Sequence, residues 1–208
     1  MTPAELLIPV SSSLDEETAR AEVYGLLAAL YYTAPTQLLY DKLCVAATEA
    51  PAAGAVLQSS WSELVAAARG QSLAEITREF DALFGGVSRP EVYLFGSHYL
   101  SGFLNEKPLA ALRSDLAGLG LARDDAMSET EDHVAYLCEV MRYLIAGDDV
   151  AVANLTRQRE FFSRHLRPWL RQMCEALAAH PKARFYRALA AFTQAFDSVE
   201  SQGFDMLG

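Results

Sequence analysis

The chain has 208 residues, 51% hydrophobic and 21% charged, which suits one large folded domain that buries its own core and not a disordered segment. Its 17 basic and 27 acidic residues leave a formal net charge of −10, which argues against a protein that tracks nucleic-acid phosphates and is compatible with a basic peptide as partner. Cys44, Cys138 and Cys174 are far apart and form no C-x-x-C pair, so a disulfide framework or a structural zinc site is not expected. Each reads as a small buried hydrophobe in a reducing cytoplasm.

Residues 1–13 lack a basic patch ahead of a long apolar run, so no secretory signal is expected there, and residues 1–12 read as disordered. The longest apolar run, 23–32, is about half of what a membrane span requires, so no membrane insertion is expected. Ser13-Leu14-Asp15-Glu16 has the form of a capping box and predicts a helix to about Thr33, with Ala19, Val23, Leu26, Leu27 and Leu30 on one face. Ala34-Pro35 breaks it, and a second helix starts near Thr36. A third is predicted over 55–68. A second capping box, Ser72-Leu73-Ala74-Glu75, opens a helix that Gly85-Gly86 ends.

Residues 87–95 read as a loop, because one isolated strand at 92–95 has no partner in an otherwise helical chain. A short helix over 97–104 follows, then one that Lys107-Pro108 starts and Gly118 and Gly120 stop. The polar stretch 122–127 is a candidate hinge, near residue 125. Ser128-Glu129-Thr130-Glu131 is a third capping-box pattern and predicts a helix to Ala146. Further helices are expected over 148–165, after Pro168, and from His180-Pro181 to the end. The fold class is all-α, one multi-helix globular domain over 1–208.

Three polar or aromatic clusters interrupt this plain Ala/Leu-rich helix. On the predicted helix, Glu129 and His133 share a face and Asp132 adjoins them; they fit capping, binding, or a tuned general base. Phe161, His165 and Trp169 fall at i, i+4 and i+8, a stripe that reads as core or, with the bend at Pro168, as a groove wall. Phe80, Leu83, Phe84, Tyr93, Phe95 and Tyr99 surround the loop at Pro90, and either fold back onto the core or line an apolar groove. No serine sits in a nucleophile elbow, and no P-loop, dinucleotide fingerprint or H-x-x-x-H pattern exists. No cofactor is expected.

Gly96-Ser97-His98-Tyr99-Leu100, then Pro108-Leu109 with Leu112-Arg113, then Glu129-x-x-Asp132-His133, then Gln158-x-x-Phe161-x-x-x-His165-Leu166-x-Pro168-Trp169 follow one another in an order that resembles the TorD/DmsD family. These are cytoplasmic redox-enzyme maturation chaperones, related to the nitrate reductase assembly chaperones. The resemblance covers roughly residues 80–200. Thr130 and Tyr93 with Phe95 stand where the family often has proline and tryptophan. The resemblance implies about ten helices and a non-enzymatic chaperone. The implied partners are the twin-arginine leader and the apo catalytic subunit of a molybdenum-cofactor oxidoreductase, held until the cofactor is inserted. It implies peptide binding by Phe80, Phe84, Pro90, Tyr93, Gly96, Ser97, Tyr99, Glu129, Asp132 and His133, with Gln158, His165 and Trp169 as further functional positions. It also implies a monomer able to form a domain-swapped dimer. The rival readings are a small hydrolase using His133 or His165, and a helical scaffold subunit.

Overall fold

Two helices with apolar residues on more than one face lie against each other at the centre: α1 (Ser11–Tyr32) and α7 (Val134–Ala146). In α7 alone Val134, Ala135, Leu137, Cys138, Met141, Leu144 and Ile145 are buried. The computed structural model describes residues 11–48, 55–85, 89–102, 104, 107–124 and 128–206. Around the central pair it places α2 (Gln37–Val45), α3 (Ala55–Arg69), α4 (Leu73–Leu83), α5 (Gly96–Ser101), α6 (Lys107–Gly118), α8 (Leu155–His165), α9 (Leu170–Ala179) and α10 (Phe185–Met206). All are helices; among the described residues there is no strand, and one continuous core draws side chains from nearly every element. Helix α10 packs on α3 and α9, and α8 leans on α7.

Where capping is local, the structure follows the sequence. The Ser72 hydroxyl accepts from the Glu75 N–H while the Glu75 carboxylate accepts from the Ser72 N–H, and Thr36 caps α2. Elsewhere it departs from it. Helix α1 begins at Ser11, ahead of Ser13, so Ser11 and Ser12 are helical; the side chains of residues 11–15 and all of residues 1–10 lie outside the described set. The pattern at 128–131 does not open a helix: α7 begins at Val134, and His133 is its N-cap. Glu129 and His133 therefore do not share a helix face. Helix α8 starts at Leu155 behind an Asn154 cap, and α10 starts at Phe185. Residue Phe95 does find a partner, forming an isolated antiparallel bridge with His133. Residues 125–127 of the expected hinge lie outside the described residues.

Buried acids cap helices to which they do not belong. Glu79, on α4, accepts from the backbone N–H groups of Arg184 (2.8 Å), Phe185 (3.1 Å) and Tyr186 (2.8 Å), the first amides of α10, and from Gln71 Nε2 at 3.0 Å. Arg20 of α1 forks onto Glu200 of α10 at 2.7 and 2.9 Å, and Tyr24 donates to the same carboxylate at 2.9 Å.

Candidate functional site

The segment from Pro90 to Tyr99 passes over the start of α7. The Gly96 N–H donates to the Asp132 carbonyl at 3.0 Å, and the Val134 N–H donates to the Leu94 carbonyl at 2.8 Å. Phe95 offers α5 no side-chain cap, and Asp132 supplies one from a distance: its Oδ2 accepts from the Ser97 N–H at 2.8 Å and its Oδ1 from the Thr130 hydroxyl at 2.6 Å. The Asp132 carboxylate is thus the joint between α5 and the 128–133 segment, and it is buried, at 3% exposure.

His133 is buried too, at 5%. Its Nδ1 accepts from the Ala135 N–H at 3.2 Å, and its ring meets Phe95, Tyr136 and Tyr32 edge-on or tilted. That acceptor role fixes the neutral tautomer with the proton on Nε2. Burial pushes the His133 pKa down from 6.5 to about 4, against a smaller opposing pull from Asp132. Asp132 and His133 are therefore not surface residues: Phe95 packs on the His133 ring, and the Asp132 carboxylate is enclosed by Ser97 and Thr130. Glu131, read as a capping side chain, instead receives Arg113 of α6 in a two-pronged ion pair at 2.9 Å, which holds its pKa below the ordinary carboxylate value.

Trp169 closes the other side. Helix α8 ends at His165, and Trp169 is the N-cap of α9, so Phe161, His165 and Trp169 do not lie along one helix. The Trp169 Nε1–H donates to the His165 carbonyl at 2.6 Å, and its ring stacks on Tyr99 with centroids 5.6 Å apart. Gly96 is required beneath it: a Cβ there would lie 2.9 Å from Trp169 Nε1. His165 donates Nε2–H to the Asp115 carboxylate at 2.7 Å, and Arg164 pairs with the same group. Burial lowers the His165 pKa by more than Asp115 raises it, so the ring is neutral near pH 7.

Gly96, Ser97, Asp132, His165 and Trp169 converge on one cleft of about 170 Å³, roofed by Pro108, Ala111 and Leu112 of α6. The other predicted positions lie elsewhere. Phe80 and Phe84 form an aromatic trio with Tyr186 on the core side of α4, with centroids 5.0 to 5.8 Å apart. Half-buried Tyr93 stacks on His98 at 4.0 Å and accepts on its carbonyl from the Tyr99 hydroxyl. Pro90 and Glu129 are half-buried. Gln158 bridges helices, donating to the Leu144 carbonyl and accepting from Arg20. Of the cysteines, Cys138 and Cys174 are buried as expected, whereas Cys44 is only partly covered.

Neither imidazole has a hydroxyl or thiol hydrogen-bonded to it among the described residues, and no group of three His, Cys, Asp or Glu there could hold a metal ion. No described helix is long and apolar enough to cross a membrane. Arg113, Asp115 and Thr130, which hold the signature residues in place, were not singled out as site residues by sequence reasoning. Arg113 stood in a quoted motif, but nothing local points it at Glu131.

The polar signature residues are thus bonded to one another and to backbone groups within the fold. Residues 50–175 match the family described as nitrate reductase delta subunit, more than half of the chain, and the chain belongs to that family. Among similar proteins are the chaperone protein TorD of Vibrio cholerae serotype O1, 27% identical over 146 residues, and that of Vibrio parahaemolyticus serotype O3:K6, 23% identical over 141 residues. The alignments cover 67% and 64% of this chain, and the chain spans 66% of the length of each relative.

Proposed function

We infer that this protein is a chaperone of the cytoplasm that binds the twin-arginine leader and the apo catalytic subunit of a molybdenum-cofactor oxidoreductase, and so delays export until the cofactor is in place. The family match over residues 50–175 is the observation that carries the reading. Among the described residues His133 bonds to the Ala135 N–H and His165 to the Asp115 carboxylate, so no observation favours the hydrolase alternative.

The client would meet the surface of the α5–α7 junction. Tyr93, Tyr99, Pro90 and Glu129 keep part of their area at the surface, as do Phe80 and Phe84 away from the junction at α4, whereas Gly96, Ser97, Asp132, His133 and Trp169 act from beneath by fixing where α5 lies. A guanidinium bound by a carboxylate forms charge-assisted bonds, and apolar leader residues gain by leaving water.

The test is calorimetry of the full chain with a leader peptide and with the same peptide carrying alanine for both arginines. Binding of the first, weaker at high salt, and a reduced affinity for the second are expected. Equal heats for both remove arginine recognition. Exchange of halves between protomers through residues 122–127 would yield a minor dimer fraction. Light scattering after size exclusion measures it, and replacing Asp124-Asp125 with Pro-Gly should change it.

A further inference from the structure

An apolar furrow runs beside α1 and shares no lining residue with the cleft at the α5–α7 junction. One part, a cavity of about 760 Å³, opens between α1, α2 and α3 over Leu26, Leu43 and Phe192. A second of about 450 Å³ opens between α1 and α10, near Phe196 and Phe204. Ala19, Val23 and Leu57 line both, so the two are continuous along α1 from Glu16 to Ala29. At about 1.5 Å of rise per residue, Ala29 lies about 27 Å along the helix from Ser11.

The residues ahead of α1, Met1-Thr2-Pro3-Ala4-Glu5-Leu6-Leu7-Ile8-Pro9-Val10, lie outside the described set. Disorder is the expectation from a terminal position, but Leu6, Leu7, Ile8 and Val10 are side chains that gain by leaving water. Pro9 steers Ile8 away from helical angles, so the chain leaves the line of α1 just ahead of it. Fully extended, residues 1–10 reach about 33 Å back from Ser11, enough to run the length of the furrow. In such a strand Ala4, Leu6, Ile8 and Val10 share one face. Ile8 then falls level with Glu17, and Leu6 level with Val23. Glu5, the one charged side chain of the segment, falls beside the cavity that Lys42 borders. Lys42 is exposed and makes no ion pair among the described residues.

We propose that residues 1–10 fold back and lie in this furrow as an extended strap, with Leu6, Ile8 and Val10 turned inward and Glu5 toward Lys42. The strap is independent of leader binding, since the furrow and the α5–α7 junction are separate surfaces. Being joined to α1, the segment meets the furrow at a high effective concentration, so modest contacts suffice to hold it. A second copy of the chain lacks that advantage and would bring its own net charge of −10 to the same face. The strap closes apolar surface that would otherwise drive association.

Substitutions in the full chain test this. Leu6→Asp with Ile8→Asp should release the strap, lowering the unfolding midpoint by about 4–8 °C and raising the fluorescence of the dye ANS as the furrow opens. An unchanged midpoint with unchanged dye binding overturns the proposal. Leu7→Asp, on the outer face of the strand, should alter neither readout; effects as large as those of the pair overturn the assigned face. A nitroxide at Pro3→Cys, in a Cys44→Ser background that leaves only buried thiols, locates the segment without destabilising it. It should broaden the amides of residues 23–29 and 39–43. Broadening confined to residues 11–18, or centred on α5 and α6, overturns the location. Broadening that appears when the spin-labelled chain is mixed with isotope-labelled unmodified chain puts the segment in a second copy and overturns the fold-back.

Discussion

Replacing Asp132 with alanine should unfold the protein more readily than its position near a helix start suggests. An exposed carboxylate at a helix start is worth about 0.3–1 kcal/mol through the helix dipole. Asp132 is 3% exposed, and it accepts from the Ser97 N–H at 2.8 Å and from the Thr130 hydroxyl at 2.6 Å. Hydrogen bonds to a charged group contribute about 1.5–3 kcal/mol each. The gain is partly offset because the wild type must desolvate a carboxylate and alanine need not. The net expected loss is about 2–4 kcal/mol, or roughly 5–15 °C in Tm for a chain of this size. Asp132→Asn keeps one acceptor oxygen and should lose about half as much. Guanidinium denaturation at neutral pH measures both. An alanine variant within about 0.5 kcal/mol of wild type would refute the account of Asp132 as the joint that holds α5.

Gly96→Ala forces a methyl against the Trp169 indole, 2.9 Å away, and should cost about 1–3 kcal/mol with a change in tryptophan fluorescence; an unaltered spectrum and midpoint would count against that packing. Glu79→Gln removes the charge that caps α10 and leaves two of four donors without an acceptor, so a loss of about 2–3 kcal/mol is expected by denaturation. For pH, the sign follows from His133: its folded pKa is lowered to about 4, so the unfolded chain takes up a proton between about pH 6.5 and 4 while the folded one does not. Stability present above pH 6.5 is therefore lost through that window, by up to roughly 3 kcal/mol. His165, lowered by burial, acts in the same sense, and Asp197, raised by burial to about 6, acts in the opposite one. His133→Asn keeps an N-cap acceptor without the titration, so its stability should fall less than that of wild type between about pH 7 and pH 4.5; equal falls would refute the assignment.

The elements that could be read from the sequence are those whose determinants are close together. The Ser72–Glu75 box, the Thr36 cap and the stop at Gly118 and Gly120 each need only a few neighbouring residues. The box pattern at 128–131 is equally good locally, yet Glu131 is taken by Arg113, 18 positions away, and the backbone of the following residues is taken by Phe95 and Gly96. Tertiary partners overrode the local preference there. Gly96, Ser97, Asp132, His165 and Trp169 could be chosen as a group from their order in the chain; their burial could not, because it depends on α5 folding over α7. Two internal acids did leave a trace. Glu79 stands between Ile76 and Leu83 on the apolar stripe of α4, and Glu200 between Phe196 and Phe204 on that of α10. A carboxylate on a buried stripe has to find donors.

That use of carboxylates also limits what the net charge means. Glu79, Glu131, Asp132 and Glu200 are buried, and each faces backbone amides, arginine or hydroxyl donors within the protein. They contribute to the formal −10 but offer little to a visiting cation, because their lone pairs are occupied and water is excluded from them. Glu16 and Glu22, by contrast, are exposed on α1 and make no ion pair among the described residues. The acidic residues thus divide into a buried set that fixes the fold and a second set left to solvent. The residues that mark this chain in its sequence belong mostly to the first set, so a loss of function on mutating Asp132 or His133 is to be separated from a loss of fold before either is assigned to client contact.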